Sequence, residues 1–146
     1  MINLILTVII GMIPYNKMDI PIIEVYPKAT PEILEMCDRV DMAEASNEPF
    51  DGKVAVISVL IDRVLSPDYP NTFEECIDGQ FSVQDNGEPS EECKDAVRWA
   101  FSHPYIFPSD MYWFRNEHYH DFANPYTKIG NHYFSTKEKY EWTWIP

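Results

Sequence analysis

Basic residues are scarce in this sequence: 11 Lys and Arg stand against 24 Asp and Glu, a formal net charge of −13. Such a deficit excludes sequence-independent nucleic-acid binding, which needs clustered cations to neutralise phosphates. It equally excludes simple electrostatic adhesion to lipid headgroups or other anionic surfaces. Cysteine is scarce too. Cys37, Cys76 and Cys93 are too few for a disulfide framework and have no C-x-x-C spacing, which excludes a zinc ribbon or a thioredoxin-type site. A single Cys76–Cys93 pair stays open beside the reading that all three are small core residues. The five glycines form no phosphate-cradling loop, and no G-x-S-x-G elbow occurs. No apolar run reaches the roughly 20 residues of a membrane span, so stable membrane insertion is not expected. Residues 1–13, MINLILTVIIGMI, have the length of a signal-peptide core, yet no Lys or Arg precedes them and no small-x-small site follows before Pro14. A signal core and a buried N-terminal strand both remain open.

What is present suffices for one core. Forty-five per cent of the 146 residues are hydrophobic and 14% aromatic, and one domain is expected at roughly 100–200 residues per domain. Pro14, Pro21 and Pro27 make residues 1–29 an apolar, extended lead-in, with the folded domain over 30–146. Thr30-Pro31-Glu32 then carries helix-start chemistry: a capping hydroxyl, a proline at the first position and an acid at the positive dipole end. The stripe of that helix runs Ile33, Cys37, Val40, Glu44, and Ser46-Asn47 ends it. Residues 49–65, PFDGKVAVISVLIDRVL, could be a strand by β-branched content. Their length, the Pro49 start and the SPDYP stop favour a helix buried on most sides. A helical turn is expected at Phe73–Ile77 and a helix EECKDAVRWAFS capped by Ser90, with Val97, Ala100 and Phe101 facing the core. DMYWFRN and KIGNHYFST read as two antiparallel strands. Helices followed by strands indicate an α+β domain.

Glu44 is the first residue with chemical promise. A carboxyl on the core-facing stripe, at the negative end of a helix dipole, is expected to be desolvated with its pKa raised. A general acid working near neutral pH needs that property. Glu48, which precedes Pro49 and is biased to extended backbone, is expected to play a structural role at the start of the next helix. Asp62 and Arg63 are expected to form a local ion pair.

The segment AEASNEPFDGKVAVISVLIDRVLSPDYPNT resembles the opening block of the SleB-type cell wall hydrolases, the spore-cortex-lytic enzyme family. In that block an acidic-small-x-x-Glu-Pro element runs into a buried helix, an Asn/Asp-Arg-Val segment and a Ser-Pro-x-x-Pro-Asn-Thr loop. GQFS at 79–82, MYWFRNEHYHDFANPY at 111–126 and IGNHYFS at 129–135 match further blocks in order, so the resemblance covers about residues 31–135. Met111 is a departure, standing where many relatives have a small or leucine-like residue. The resemblance implies a lysozyme-like α+β catalytic domain over 30–146, acting on peptidoglycan glycan strands at the cell wall, whether extracellular, spore-associated or phage-delivered. It implies cleavage between MurNAc and GlcNAc as a lytic transglycosylase, leaving a 1,6-anhydro-MurNAc end, with Glu44 as general acid and base and no cofactor.

Substrate contact is expected from Gln80, Phe81 and Ser82, whose amide, ring and hydroxyl fall in one loop. It is also expected from Tyr112 and Asn116, on one face of a strand that lines the cleft in this family, and from His132. For Phe114, core packing is preferred. His118, His120 and His132 admit a second enzyme reading. His118 and His120 on one strand face could join a carboxylate to hold zinc, as in an amidase that removes the peptide stem. The spacing is less specific than His-Glu-x-x-His. A third reading is a glycan-binding domain without activity, against which the acid on the apolar stripe speaks. Residues 74–95 contribute −7 of the charge and flank the GQFS loop. Anionic wall polymers should therefore be repelled, and turbidity loss of a teichoic-acid-bearing wall should speed up with moderate salt. A flat or falling salt profile would contradict this.

Overall fold

Thr30 opens the first helix as its chemistry dictates: its Oγ1 accepts a hydrogen bond from the Ile33 N–H at 3.2 Å. This computed structural model describes residues 29–104 and 106–139. The apolar run at 1–13 and nearly all of the lead-in lie outside the described residues. Helix α1 spans Pro31–Ala45 and buries Cys37 and Val40 completely. Helix α2, Phe50–Leu65, contains the β-branched VAVISV segment and buries every residue from Gly52 to Val64. It packs against α1, the short α3 (Phe73–Ile77) and α4 (Glu91–Ser102). A helix surrounded on all sides must be apolar nearly all round, and this burial outweighs its β propensity. Thr72 and Ser90 cap α3 and α4 through their hydroxyls, and Phe101 of α4 meets Phe73 of α3 at 5.6 Å between ring centroids.

Three strands form the sheet: β1 Trp113–Asn116, β2 Asn124–Ile129 and β3 His132–Thr136, in order β1-β3-β2 and antiparallel throughout. The expected pairing of the DMYWFRN and HYFST segments is β1 with β3. KIGNHYFST, however, is not one strand. It reverses at Gly130-Asn131, a two-residue hairpin loop whose first residue has φ 57, the pattern of a type II′ turn. The extra strand β2 carries Pro125, tolerated because β2 is an edge strand with a register shift between Pro125 and Thr127. All three cysteines are free and buried, so Cys76 and Cys93 do not pair. Met111 is fully buried in the core. Among the described residues no helix is long and apolar enough to cross a membrane.

Asp62 and Arg63 do not form the expected ion pair. The Arg63 Nε donates to the Tyr112 carbonyl at 2.8 Å, and its guanidinium lies 5.1 Å from the ring centroids of Tyr69 and Phe81. Burial instead raises the Asp62 carboxyl to about 8, against the backbone N–H of Met111, which lowers it. Burial likewise raises Asp38 to about 6, although Arg98 stands 3.6 Å away. Such groups hold a proton in the folded state that the unfolded chain releases near the ordinary Asp pKa of about 3.9. The stability these two groups contribute is then fully present below that value and is lost as pH rises through about 6 for Asp38 and about 8 for Asp62. Asp62→Asn is expected to flatten this decline and to raise Tm at pH 8 by at least roughly 4 °C. Melting curves across pH 4–8 check it, and an unchanged slope would contradict it.

Candidate active site

The C-terminal end of α1, the α1–α2 junction, the end of β1 and the β2–β3 turn converge on one cavity of about 550 Å³. Glu44 and Glu48 line one side, and Asn116, Lys128, His132 and Tyr133 line the other. Glu44 is half-buried, not enclosed, because the α1 stripe runs out at the edge of this cavity. Its Oε1 accepts a hydrogen bond from the Ser82 N–H at 2.5 Å, which ties the GQFS loop to the end of α1.

Glu48 is held from three directions. Its Oε2 accepts from the Asn131 N–H at 2.9 Å, its own N–H donates to the Ala45 carbonyl at 3.0 Å, and its carbonyl accepts from the buried Lys53 ammonium. These contacts reach across the fold: the carboxylate clamps the β2–β3 turn onto the helix junction. His132 is buried, with its ring 5.0 Å from Phe114. Burial lowers its pKa, and the negative charges of Glu48 and Glu44 offset that only in part. At neutral pH it is therefore an uncharged imidazole that can exchange hydrogen bonds with a sugar.

Glu44, Asn116 and His132 thus meet in one cavity, and Ser82 joins them through its backbone. Gln80 is exposed in the adjoining loop. Phe81 and Tyr112 do not line the cavity. Phe81 is buried at 6.1 Å from the Phe114 ring, and Tyr112 packs against Tyr69 at 5.3 Å. Strand β1 begins only at Trp113, so Tyr112 and Asn116 do not share a strand face as the alternation suggested. His118 and His120 lie in the loop after β1, not on a strand. The His118 Nδ1 is 2.8 Å from the Tyr119 carbonyl, and the His120 ring is 4.8 Å from Phe122. Among the described residues no three of His, Cys, Asp or Glu are grouped to hold a metal ion.

Sequence reasoning missed Glu117, Lys128, Asn131 and Tyr133 as cavity residues. The Gly130-Asn131 dipeptide between two apolar runs was a usable hairpin signal that would have brought Lys128 and His132 together. Glu117 had no local signal. It is the one non-glycine with positive φ (74°) among the described residues, a conformation that bulky side chains adopt only when the surroundings hold them there.

The cell wall hydrolase family model matches residues 47–135, more than half of the chain, beginning just after Glu44. No curated protein matches. Among solved structures, the catalytic domain of the Bacillus cereus SleB protein is similar at a TM-score of 0.59 and 24% identity, over 73% of this chain and 91% of that one. The catalytic domain of the germination-specific lytic transglycosylase SleB from Bacillus anthracis is similar at 0.59 and 25% identity, over 73% of this chain and 96% of that one. The SleB catalytic domain has a lysozyme-like fold, and the helices and three-stranded antiparallel sheet described above share it. With that architecture and a family pattern running from the α1–α2 junction to β3, the chain belongs to the cell wall hydrolases, enzymes that act on peptidoglycan.

Proposed function

We propose that this enzyme cleaves the β-1,4 bond between MurNAc and GlcNAc as a lytic transglycosylase, with Glu44 as both acid and base. The observation that carries the reading is the position of Glu44. Its carboxyl stands half-buried at the cavity edge with Oε1 held by the Ser82 N–H, which leaves Oε2 to hold and transfer a proton. Glu48, the neighbouring carboxylate, is committed to the Asn131 N–H and is poorly placed to act as a second catalytic acid.

The protonated Glu44 gives its proton to the glycosidic oxygen as the bond to the MurNAc anomeric carbon breaks, and the GlcNAc hydroxyl leaves. The N-acetyl oxygen of MurNAc stabilises the electron-poor carbon, so a second protein carboxylate is not required. The MurNAc 6-hydroxyl then attacks that carbon and Glu44 takes its proton, which closes the 1,6-anhydro ring and restores the acid. Ser82, Asn116 and the neutral His132 orient the sugars by hydrogen bonds in this reading, with Gln80 beside them. Phe81 and Tyr112 act from behind, by supporting Phe114 and Arg63.

Mass spectrometry of soluble muropeptides tests the product. Strand ends one water lighter than reducing MurNAc are expected. Reducing ends would replace transglycosylation by hydrolysis, and freed stem peptides would replace both by amidase chemistry. Binding to purified wall without any product would leave only a glycan-binding domain.

A further inference from the structure

Arg115 of β1, Tyr133 of β3 and Lys128 of β2 are direct partners across the sheet, so their side chains form one row on one face. It is the face opposite Phe114 and Phe134, whose rings turn into the core. The Lys128 ammonium lies 5.1 Å from the centroid of the Tyr133 ring. Tyr119 meets that ring edge-on at 5.0 Å and fixes its plane. Lys128 and Tyr133 also line the cavity that holds Glu44, so the row continues from the candidate active site onto the sheet.

The cations in this row lack the carboxylate partners that five of the nine described cations have. Arg39, Lys53, Lys94, Arg98 and Lys137 each stand within 4.0 Å of a carboxylate. Among the described residues Arg63, Arg115, Lys128 and Lys139 have no such partner. Arg63 is buried and donates to the Tyr112 carbonyl, whereas Arg115 and Lys128 stand on either side of one residue of the sheet. Glu117, in the same cavity, is not within that distance of either. In a protein of net charge −13, two unpaired cations flanking one aromatic ring are electrostatically unfavourable to each other until an anion joins them. A sugar bearing a carboxylate fits both features. Its ring face stacks on an aromatic, and the carboxylate accepts charge-assisted hydrogen bonds from a guanidinium and an ammonium.

We propose that the Arg115–Tyr133–Lys128 row is a subsite for a carboxylate carried on the O-lactyl substituent of MurNAc, and that it sets which sugar lies beside Glu44. The proposal rests on the glycan-cleavage reading above. GlcNAc bears no carboxylate, whereas MurNAc bears one on the lactyl group itself or on the peptide stem attached to it. The row would thus seat MurNAc with its substituent over β2 and β3 and its anomeric carbon towards Glu44.

The test uses the Glu44→Gln chain, alone and with Arg115→Gln and Lys128→Gln together, binding soluble glycan strands at about 0.15 M salt to damp the long-range field. Control strands have their carboxylates capped as neutral amides. The double substitution is expected to weaken binding of native strands about tenfold or more and to change binding of capped strands by less than about twofold. Equal losses on both strands, or no loss on native strands, would overturn the proposal. Strands stripped of peptide separate the sources: a retained effect assigns the lactyl carboxylate, and an abolished one assigns the stem. Binding needs no turnover. Should Glu44→Gln prove active, the catalytic reading would fail while the binding comparison still judged the row.

Discussion

Glu44→Gln is expected to fold normally and to release no sugar products above roughly one part in a thousand of the parent rate. The amide is nearly isosteric and keeps an oxygen that can accept the Ser82 N–H now held by Oε1. It has no proton to give to a leaving oxygen and no basic site to take one from the MurNAc 6-hydroxyl. Both halves of the proposed reaction therefore stop. General acid or base catalysis typically contributes about 10²–10⁴-fold, and one residue here supplies both. Circular dichroism and Tm should match the parent, because Glu44 is half-buried and supports no core packing. Parent-like turnover in a folded variant would remove Glu44 from the mechanism.

Gly130→Ala is expected to be the most damaging single-methyl change at a turn. Gly130 has φ 57, which costs a residue with a Cβ roughly 1–2 kcal/mol. The added Cβ would also fall on the Glu48 Oε2 and 2.7 Å from the Pro49 Cδ. Pro49 is a rigid ring at the helix junction, and the Glu48 carboxylate is held by the Asn131 N–H. Neither can yield without opening the clamp. A total cost of roughly 2–4 kcal/mol follows from strain and overpacking together. Activity should fall as well, because Lys128, Asn131 and His132 all hang on this turn. Gly79→Ala supplies the control. Its φ is 69, yet nothing lies within 4 Å of the added carbon, so only the same backbone cost of about 1–2 kcal/mol applies. Urea midpoints measure both variants, and a Gly130→Ala loss no larger than that of Gly79→Ala would show the clamp to be unimportant.

These two residues mark how far the sequence could be read. Helices α1 and α4 were legible to the residue at their starts because Thr30 and Ser90 act within three positions of themselves; the Thr72 cap of α3 emerged only in the structure. Glu44 was legible as a carboxyl on an apolar stripe, since helical periodicity is local. Its surroundings were not. The full desolvation expected for it depended on what covers the end of α1, and the structure leaves that end beside an open cavity. The expected Asp62–Arg63 pair failed for a similar reason. Adjacent helical residues point in different directions, and each side chain found its partner on another element.

Local sequence by itself determined the helices, their caps, the burial of α2 and an acid at the end of α1, because each depends on neighbours within about one helical turn. Tertiary structure alone decided the site. The bond from Ser82 to Glu44 joins residues 38 positions apart, and the bond from Asn131 to Glu48 joins residues 83 apart. The shortage of Lys and Arg was plain in the sequence. Composition carries no positions, however. Only the register of three strands could place Arg115 and Lys128 on either side of Tyr133.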